Sequence, residues 1–246
     1  MTSEFVLKQR TRTSPTPVIV QDNATGGISY WQDSANQSEA DGDGVSLADY
    51  IHAMFFFLRQ AKAKHVLMIG CGGGTLATML RRAGVAVTIV DIDAASFEVA
   101  RRYFHLPADV ELHVADGARF LRRHAHRFDA IVLDAYDGGA IPKQFLKSEF
   151  FALARSRLKP RGSLFLINII VADDADRTPD HIARLMNKTW AAVRLLDSDG
   201  FIDRNAVAAA GAVAGLKRPR LLMPPKRGAK KFAKDLGTMK FRRLRA

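Results

Sequence analysis

Three aspartates, Asp91, Asp116 and Asp134, stand where predicted strands of the sequence end. The predicted strands cover residues 85–90, 110–115 and 130–133. Because parallel strands end at one edge of a sheet, where ligands bind in doubly wound folds, we expect the three acids to share a site. A carboxylate accepts two hydroxyl hydrogen bonds at once, which suits it to hold a ribose diol. Helix capping explains any one of these acids but explains the series poorly.

A cluster of glycines connects another apolar run, His65–Ile69, to a segment predicted to be a helix, residues 76–82. The glycines of its G-x-G-x-G pattern are Gly70, Gly72 and Gly74. Glycine lets the backbone turn sharply and approach a ligand, which the amides of the following helix then face. A dinucleotide fingerprint requires glycine or alanine where Thr75 stands, and a P-loop requires a lysine after the glycines. The remaining interpretations are a loop that binds an adenosylmethionine-type nucleoside and a glycine-rich turn without a ligand.

The order of the elements predicts a Rossmann-like, doubly wound α/β sheet of the methyltransferase type. Further helices are expected at residues 47–60, 94–103, 142–158 and 179–193, and further strands at 163–170 and 205–214. A short β hairpin region precedes this sheet, since Val18–Val20 and Ile28–Trp31 flank a glycine turn. We therefore expect a short N-terminal β region (1–45), a Rossmann-like nucleoside-binding domain (46–225) and a basic C-terminal tail (226–246).

Five segments of the chain resemble motifs of the spermidine synthases and their relatives, the polyamine aminopropyltransferases. The segments are Val66–Gly74, Val90–Asp93, Ala115–Gly117, Asp134–Asp137 and Leu158–Gly162. In that family the corresponding motifs read V-L-I-I-G-G-G-D-G-G, V-E-I-D, G-D-G, D-S-S-D-P and L-K-P-G-G. The resemblance extends from about residue 37 to residue 225 and is closest between residues 66 and 170.

The resemblance implies where an adenosyl co-substrate binds. Asp91 would hold the ribose, and Asp116 would hold the amino group of the adenine. The implied nucleoside-binding residues are Gly70, Gly72, Gly74, Asp91, Asp116 and Gly117. We expect no metal and no tightly bound cofactor, because adenosylmethionine or its decarboxylated form would enter as a co-substrate.

The resemblance also implies which residues would bind the amine substrate and take its proton. Asp134 would take the proton from the attacking amine, and Asp137 would line the same pocket as a second catalytic residue. The implied substrate-binding residues are Gln37, Tyr50 and Tyr136. These residues predict an enzyme that transfers an aminopropyl or other alkyl group to a small-molecule amine.

Two positions depart from the family pattern. The family has an aspartate where this chain has Gly73, and that carboxylate grips the ammonium group of decarboxylated adenosylmethionine. The proline of D-S-S-D-P is replaced by Gly138. Two alternatives therefore stay open: a methyltransferase that uses intact adenosylmethionine, and a non-catalytic relative that binds a nucleoside or a nucleic acid.

The net charge of +12 is concentrated at the C-terminal end of the chain. Residues 226–246 carry a net charge of +8, and the preceding 225 residues carry +4. Such a segment is typical of contact with nucleic acid or an acidic surface, although we expect a solvated, partly disordered tail. Phe232, Leu236 and Phe241 would allow part of it to pack as a helix.

Composition indicates a cytoplasmic protein. Its 246 residues contain no apolar run near the roughly 20 residues that a membrane span requires, and no secretory signal is visible at the N-terminus. A single cysteine excludes a disulfide framework and is consistent with a reducing compartment. A homodimer is one open alternative for its assembly.

Overall fold

The computed structural model of the chain describes residues 7–9, 18–23, 26–32 and 35–245. Its smaller sheet is antiparallel, and its strands pair in chain order. They are β1 (Leu7–Gln9), β2 (Val18–Asp22), β3 (Ile28–Gln32) and β4 (Ala35–Ala40). The predicted hairpin corresponds to β2 and β3, whereas β4, which carries Gln37, lies outside that prediction.

The larger sheet contains eight strands in the described part of the chain. They are β5 (His65–Ile69), β6 (Ala86–Asp91), β7 (Glu111–Val114), β8 (Ala130–Leu133), β9 (Leu164–Val171), β10 (Val193–Asp197), β11 (Arg204–Gly211) and β12 (Lys240–Arg242). Their order across the sheet is β12-β10-β11-β9-β8-β5-β6-β7. The strands from β9 to β7 are parallel, and β11, β10 and β12 extend the sheet in antiparallel pairs. This arrangement confirms the predicted α/β class.

Helices cover both faces of the larger sheet. They are α1 (Asp49–Gln60), α2 (Thr75–Arg82), α3 (Ala94–Tyr103), α4 (Gly117–Arg123), α5 (Ser148–Ser156), α6 (Thr178–Asn187) and α7 (Ala229–Leu236). Because side chains alternate along a strand, Met68 lies in the same buried cluster as Phe57 of α1 on one face, and Leu67 lies in the same buried cluster as Phe151 of α5 on the other. Within the described ranges, no helix has both the length and the apolar character needed to cross a membrane.

Two predicted helices differ from the observed elements. The segment 142–158 divides into a 3₁₀ turn, Lys143–Leu146, and α5, because Lys147 has an extended backbone. The helix predicted over 179–193 ends at Asn187, and Val193 instead begins strand β10. The apolar residues of β10 continue the spacing of α6, so periodicity alone does not separate the helix from the strand.

The C-terminal segment contradicts the expectation of a solvated tail. β12 pairs with β10 at the edge of the larger sheet, and the Phe241 ring stacks on Phe57 with ring centroids 5.7 Å apart. In α7, Leu236 is buried and the Phe232 ring meets the edge of the His52 ring at 5.1 Å. The apolar residues of this segment thus attach it to α1 and to the sheet, although its lysines remain exposed. The predicted boundaries of the three regions stay a prediction.

Buried ion pairs fasten the end of the chain to the larger sheet. The Arg242 guanidinium donates to Asp180 of α6 at 2.8 and 2.9 Å and to Asp197 of β10 at 2.8 Å. Arg204 of β11 donates to the other oxygen of Asp197 at 2.8 Å. Both carboxylates are completely buried, and burial alone would raise the pKa of each. The hydrogen bonds and positive charges of the arginines, together with the Arg245 amide at Asp180, outweigh burial and hold both pKa values below their usual range.

Candidate active site

The glycine loop and Asp134 meet at the carboxyl edge of the parallel strands. Gly70, at the end of β5, has a positive φ of 98°. A Cβ atom there would lie 2.0 Å from the carbonyl oxygen of Asp134, so a side chain cannot fit. The Asp134 amide in turn donates to the carbonyl of Ile69 at 2.9 Å. The absence of a side chain at Gly70 therefore lets the ends of β5 and β8 lie side by side.

Asp91, at the end of β6, holds the glycine loop through backbone hydrogen bonds. Its two carboxylate oxygens accept from the amides of Cys71 and Asp93, each at 2.8 Å. Burial raises the pKa of Asp91, although these two hydrogen bonds oppose the shift. Each carboxylate oxygen has more than one lone pair, so these bonds leave acceptor capacity for the hydroxyls of a ribose.

Asp116 and Gly117 lie at the start of α4, at the end of β7. One oxygen of Asp116 caps this helix by accepting from the Arg119 amide at 2.8 Å, and the other lies 3.5 Å from the Gln144 amide nitrogen. A Cβ atom at Gly117 would lie 2.5 Å from the Ile69 side chain. Capping thus accounts for one oxygen of Asp116, and the predicted contact with adenine stays a prediction.

Two exposed apolar side chains flank these acids. Ile92 directly follows Asp91 and is 74% exposed, and Val114 is 59% exposed. Val114 is also the register partner of Asp91 in the parallel pair of β6 and β7. Apolar surface at the mouth of a polar site offers a flat contact to a planar base. Neither residue stands out in the sequence, because Val114 lies within a predicted strand and Ile92 lies between two aspartates.

Asp134 contacts side chains of two other elements, one through each carboxylate oxygen. Its Oδ1 accepts from the Asn168 amide of β9 at 2.8 Å, and its Oδ2 faces the Tyr50 hydroxyl of α1 at 3.3 Å. Burial raises the pKa of Asp134, and the hydrogen bonds from Asn168 and Tyr50 partly oppose the shift. Burial and the nearby Asp134 charge raise the pKa of Tyr50 well above its usual value, so its hydroxyl stays protonated. The structure thus brings the predicted residues Asp134 and Tyr50 together. It also adds Asn168, which the sequence did not indicate, to the site.

Tyr136 and Asp137 occupy different surroundings. The Tyr136 hydroxyl donates to the Asn168 carbonyl and accepts from the Ile170 amide, both at 2.9 Å, which attaches this segment to β9. Asp137 is exposed and begins a turn that closes on Ala140 through backbone bonds of 2.8 and 3.1 Å. Among the described residues, no side-chain hydrogen bond joins Asp137 to Asp134. The predicted roles of Tyr136 and Asp137 stay predictions.

Strand β4 lies against the glycine loop. The Ser38 hydroxyl accepts from the Gly73 amide at 2.8 Å, and a Cβ atom at Gly72 would lie 3.2 Å from the Gln37 carbonyl oxygen. A Cβ atom at Gly73 would lie 2.9 Å from both the Phe104 ring and the Ser38 Cβ. The loop therefore has no room for a side chain at Gly73.

Comparisons with known proteins agree with this geometry. A polyamine aminopropyltransferase from Chromobacterium violaceum is 35% identical over 144 residues, which cover 56% of this chain and 54% of that protein. An eEF1A lysine and N-terminal methyltransferase homolog from Drosophila melanogaster is 33% identical over 128 residues, 47% of this chain and 19% of that protein. The chain thus spans about half, or less, of the length of these curated relatives.

The fold of this chain also matches the fold of a solved structure. A probable spermidine synthase from Corynebacterium glutamicum superposes with a TM-score of 0.75 and 17% identity, covering 97% of this chain and 91% of that one. The sequence model of the spermine/spermidine synthase domain matches residues 50–174, just over half of the chain, and this range includes Tyr50, the glycine loop, Asp134 and Asn168. From its sequence and its fold, the chain belongs to the spermine/spermidine synthase domain family.

Proposed function

We propose that this protein binds decarboxylated adenosylmethionine at the carboxyl edge of the larger sheet and transfers its aminopropyl group to a small-molecule amine. The observation that carries this proposal is the position of the half-buried Asp134 carboxylate. It lies beside the glycine loop, and Tyr50 and Asn168 contact its two oxygens. A half-buried carboxylate beside a nucleoside loop suits the removal of a proton from an amine that attacks the bound nucleoside.

The proposed reaction requires little covalent participation from the protein. The amine nitrogen forms a bond to the propyl carbon that is attached to the sulfonium, and the carbon–sulfur bond breaks. Its electron pair returns to sulfur and leaves neutral methylthioadenosine, while the proton of the amine passes to Asp134. Alignment of nitrogen, carbon and sulfur, together with a correctly placed base, supplies most of the catalytic effect.

The nucleoside is proposed to lie across the ends of β5, β6 and β7. Asp91 would accept the ribose hydroxyls, and Asp116 would accept from the adenine amino group. The exposed side chains of Ile92 and Val114 would pack on the adenine ring. Their exposure supports this placement, because binding would remove apolar surface from water.

If the nucleoside binds as proposed, Asp91→Ala should bind methylthioadenosine more weakly. Removing the carboxylate deprives the ribose hydroxyls of their acceptor and releases the Cys71 amide. We expect methylthioadenosine to bind more weakly by about 1–3 kcal/mol in calorimetric titration. Glu98→Ala, an exposed residue of α3, makes the same change in charge and should bind as the wild type does. Equal affinity in wild type and Asp91→Ala would contradict the assignment.

Methyl transfer from intact adenosylmethionine is the second candidate. The observation that favours it is the closed space at Gly73, where the family carries an acid that recognises an ammonium group. Phe104 and Ser38 occupy the volume that such a side chain would need. The similarity to a methyltransferase homolog supports the same alternative.

The glycine at position 73 predicts weak discrimination between the two forms of the co-substrate. An aspartate would attract the ammonium of the decarboxylated form and repel the carboxylate of the intact form, whereas glycine does neither. We expect calorimetric titration to give dissociation constants for the two forms within about tenfold of each other. A much stronger preference for the decarboxylated form would show that another acid replaces the missing one. Asp93 is then the residue to test, by Asp93→Asn.

A small-molecule amine as the acceptor, a homodimeric assembly and a cytoplasmic location stay predictions. The same holds for contact between the basic C-terminal segment and a polyanion. Lys230, Lys231 and Lys234 of α7 are exposed and support such contact. A polycationic acceptor, by contrast, would be repelled by these charges at low ionic strength.

A further inference from the structure

Asn168 places an amide in the middle of an apolar strand. β9 reads Leu-Phe-Leu-Ile-Asn-Ile-Ile-Val, and Asn168 is only 3% exposed. A buried amide destabilises the fold unless its donors and acceptors are bonded, and an aliphatic side chain would fill such a position without that requirement. The partners of the amide therefore indicate its role.

One partner of the Asn168 amide is a single oxygen of Asp134. Its Nδ2 donates to Oδ1 at 2.8 Å, a normal hydrogen-bond length. The other carboxylate oxygen, Oδ2, has only the long 3.3 Å contact with the Tyr50 hydroxyl. Oδ1 is therefore the more firmly held oxygen, and Oδ2 is the freer to accept a proton.

The second partner, Asn205, determines which end of the Asn168 amide faces the carboxylate. Asn205 of β11 donates its Nδ2 to the Oδ1 atom of Asn168 at 2.9 Å. Asn205 pairs with Ile170 in the register of β9 and β11, so the two asparagines are diagonal neighbours on one face of the sheet. If the Asn168 amide were reversed, its oxygen would face the carboxylate and its NH₂ group would face the NH₂ group of Asn205. Both contacts would be unfavourable, which fixes the observed orientation.

Within the described part of the chain, the other titratable groups that contact this cluster are two tyrosines. Tyr50 approaches Asp134 from α1, and Tyr136 binds the backbone of Asn168. Burial raises the pKa of both hydroxyls, so both remain neutral around pH 7. Among the described residues, no lysine, arginine or histidine donates a hydrogen bond to Asp134. The amide of Asn168 is thus the closest donor that stabilises the ionised carboxylate.

We propose that Asn168, oriented by Asn205, is a positioning residue that fixes Oδ1 of Asp134 and leaves Oδ2 to accept the proton of the amine. This inference rests on the proposed function, because the proton transfer belongs to it. It adds a chain of two asparagines on neighbouring strands, at sequence positions 34 and 71 residues beyond the base.

The test compares Asn168→Leu and Asn205→Leu with a matched control. Both variants remove a donor and retain comparable volume. Ile169→Val alters the opposite face of β9 and should behave as the wild type does. In Asn168→Leu the ionised form of Asp134 loses its main donor, so we expect the acid limb of kcat/KM to move about one pH unit upward. We also expect kcat to fall about 10-fold or more, with methylthioadenosine affinity within about twofold of the wild type.

Asn205→Leu should move the acid limb in the same direction by a smaller amount, because it acts through the orientation of Asn168. If Asn168→Leu does not fold, Asn205→Leu still tests the proposal. A fall in kcat without movement of the acid limb in either folded variant would assign the asparagines a purely structural role and overturn the proposal.

A measurement without turnover separates this inference from the proposed function. ¹³C NMR of carboxyl-labelled aspartate follows the titration of Asp134 directly, and Asp134→Asn assigns its resonance. We expect the midpoint to rise in Asn168→Leu and to stay unchanged in Ile169→Val. If the midpoint rises but the wild type alkylates no amine, the positioning role stands and the proposed function fails. If the midpoint is the same in wild type and Asn168→Leu, the positioning role is wrong whatever the turnover.

Discussion

We expect Asp134→Asn to lower kcat by about 10²–10⁴-fold while the affinity for methylthioadenosine stays within about twofold of the wild type. Asparagine keeps the shape of the side chain and removes the base, and the glycine loop and Asp91 remain in place. Turnover is measured as release of methylthioadenosine, and binding is measured by calorimetry. Glu98→Gln, on the exposed side of α3, removes one carboxylate away from the site and should leave both quantities unchanged.

The pH dependence of the wild type should report the same carboxylate. Asp134 must be ionised to accept a proton, so activity should fall as the pH drops through its pKa. Burial raises that pKa, which places the acid limb above the range of an ordinary aspartate. Joint loss of nucleoside binding and of folding in Asp134→Asn would instead show that Asp134 is a structural residue.

The second large effect is expected in Arg242→Leu, outside the active site. The substitution leaves Asp180 without its bidentate partner and Asp197 with Arg204 alone, and both carboxylates are completely buried. We expect the free energy of unfolding near pH 7 to fall by about 3–5 kcal/mol in urea denaturation. Arg243→Leu changes the exposed neighbour and should alter stability by less than about 0.5 kcal/mol.

The loss of stability in Arg242→Leu should change with pH in a definite direction. In the wild type the pKa values of Asp180 and Asp197 are lowered, so their contribution to stability is present above the unfolded pKa and is lost as the pH falls through the folded pKa. In Arg242→Leu, Asp180 has lost its ion-pair partner and Asp197 keeps only Arg204, so both carboxylates are protonated more easily than in the wild type. The difference in stability between the two proteins should therefore shrink as the pH falls below about 5. A difference that is small near pH 7, or that grows on acidification, would contradict the role assigned to Arg242.

Most of the parallel half of the fold was predictable from sequence because β5, β6, β8 and β9 are predominantly apolar, whereas β7 reads Glu-Leu-His-Val. The runs that form β5, β6 and β8 end in turn-forming or acidic residues, and the helix predicted at 94–103 is observed as α3. Strand β10 was not predictable, because its apolar residues follow α6 at helical spacing. The attachment of the C-terminal segment depends on pairs far apart in the chain, such as Phe241 with Phe57, and local periodicity does not register them.

The candidate site was predictable to the extent that it lies at strand ends. Asp91, Asp116 and Asp134 follow that rule, whereas Asn168 lies inside a strand and gains meaning only from its contact with Asp134. Gly73 illustrates another limit of prediction from sequence. Its sequence position suggests that an aspartate could be restored, but Phe104 and Ser38 leave a Cβ atom only 2.9 Å from its neighbours. Space, which sequence does not specify, excludes that change without movement of the ring.

The most direct test of the proposed function is chromatographic identification of the nucleoside that the protein releases. The wild type is incubated with 1,4-diaminobutane and either decarboxylated or intact adenosylmethionine, and Asp134→Asn is treated in parallel. Aminopropyl transfer predicts methylthioadenosine from the decarboxylated form, in amounts equal to the alkylated amine, and almost none from Asp134→Asn. Adenosylhomocysteine released from the intact form alone would instead show methyl transfer and contradict the proposed activity. Bound nucleoside with no product from either form, across a panel of amines, would contradict catalysis itself.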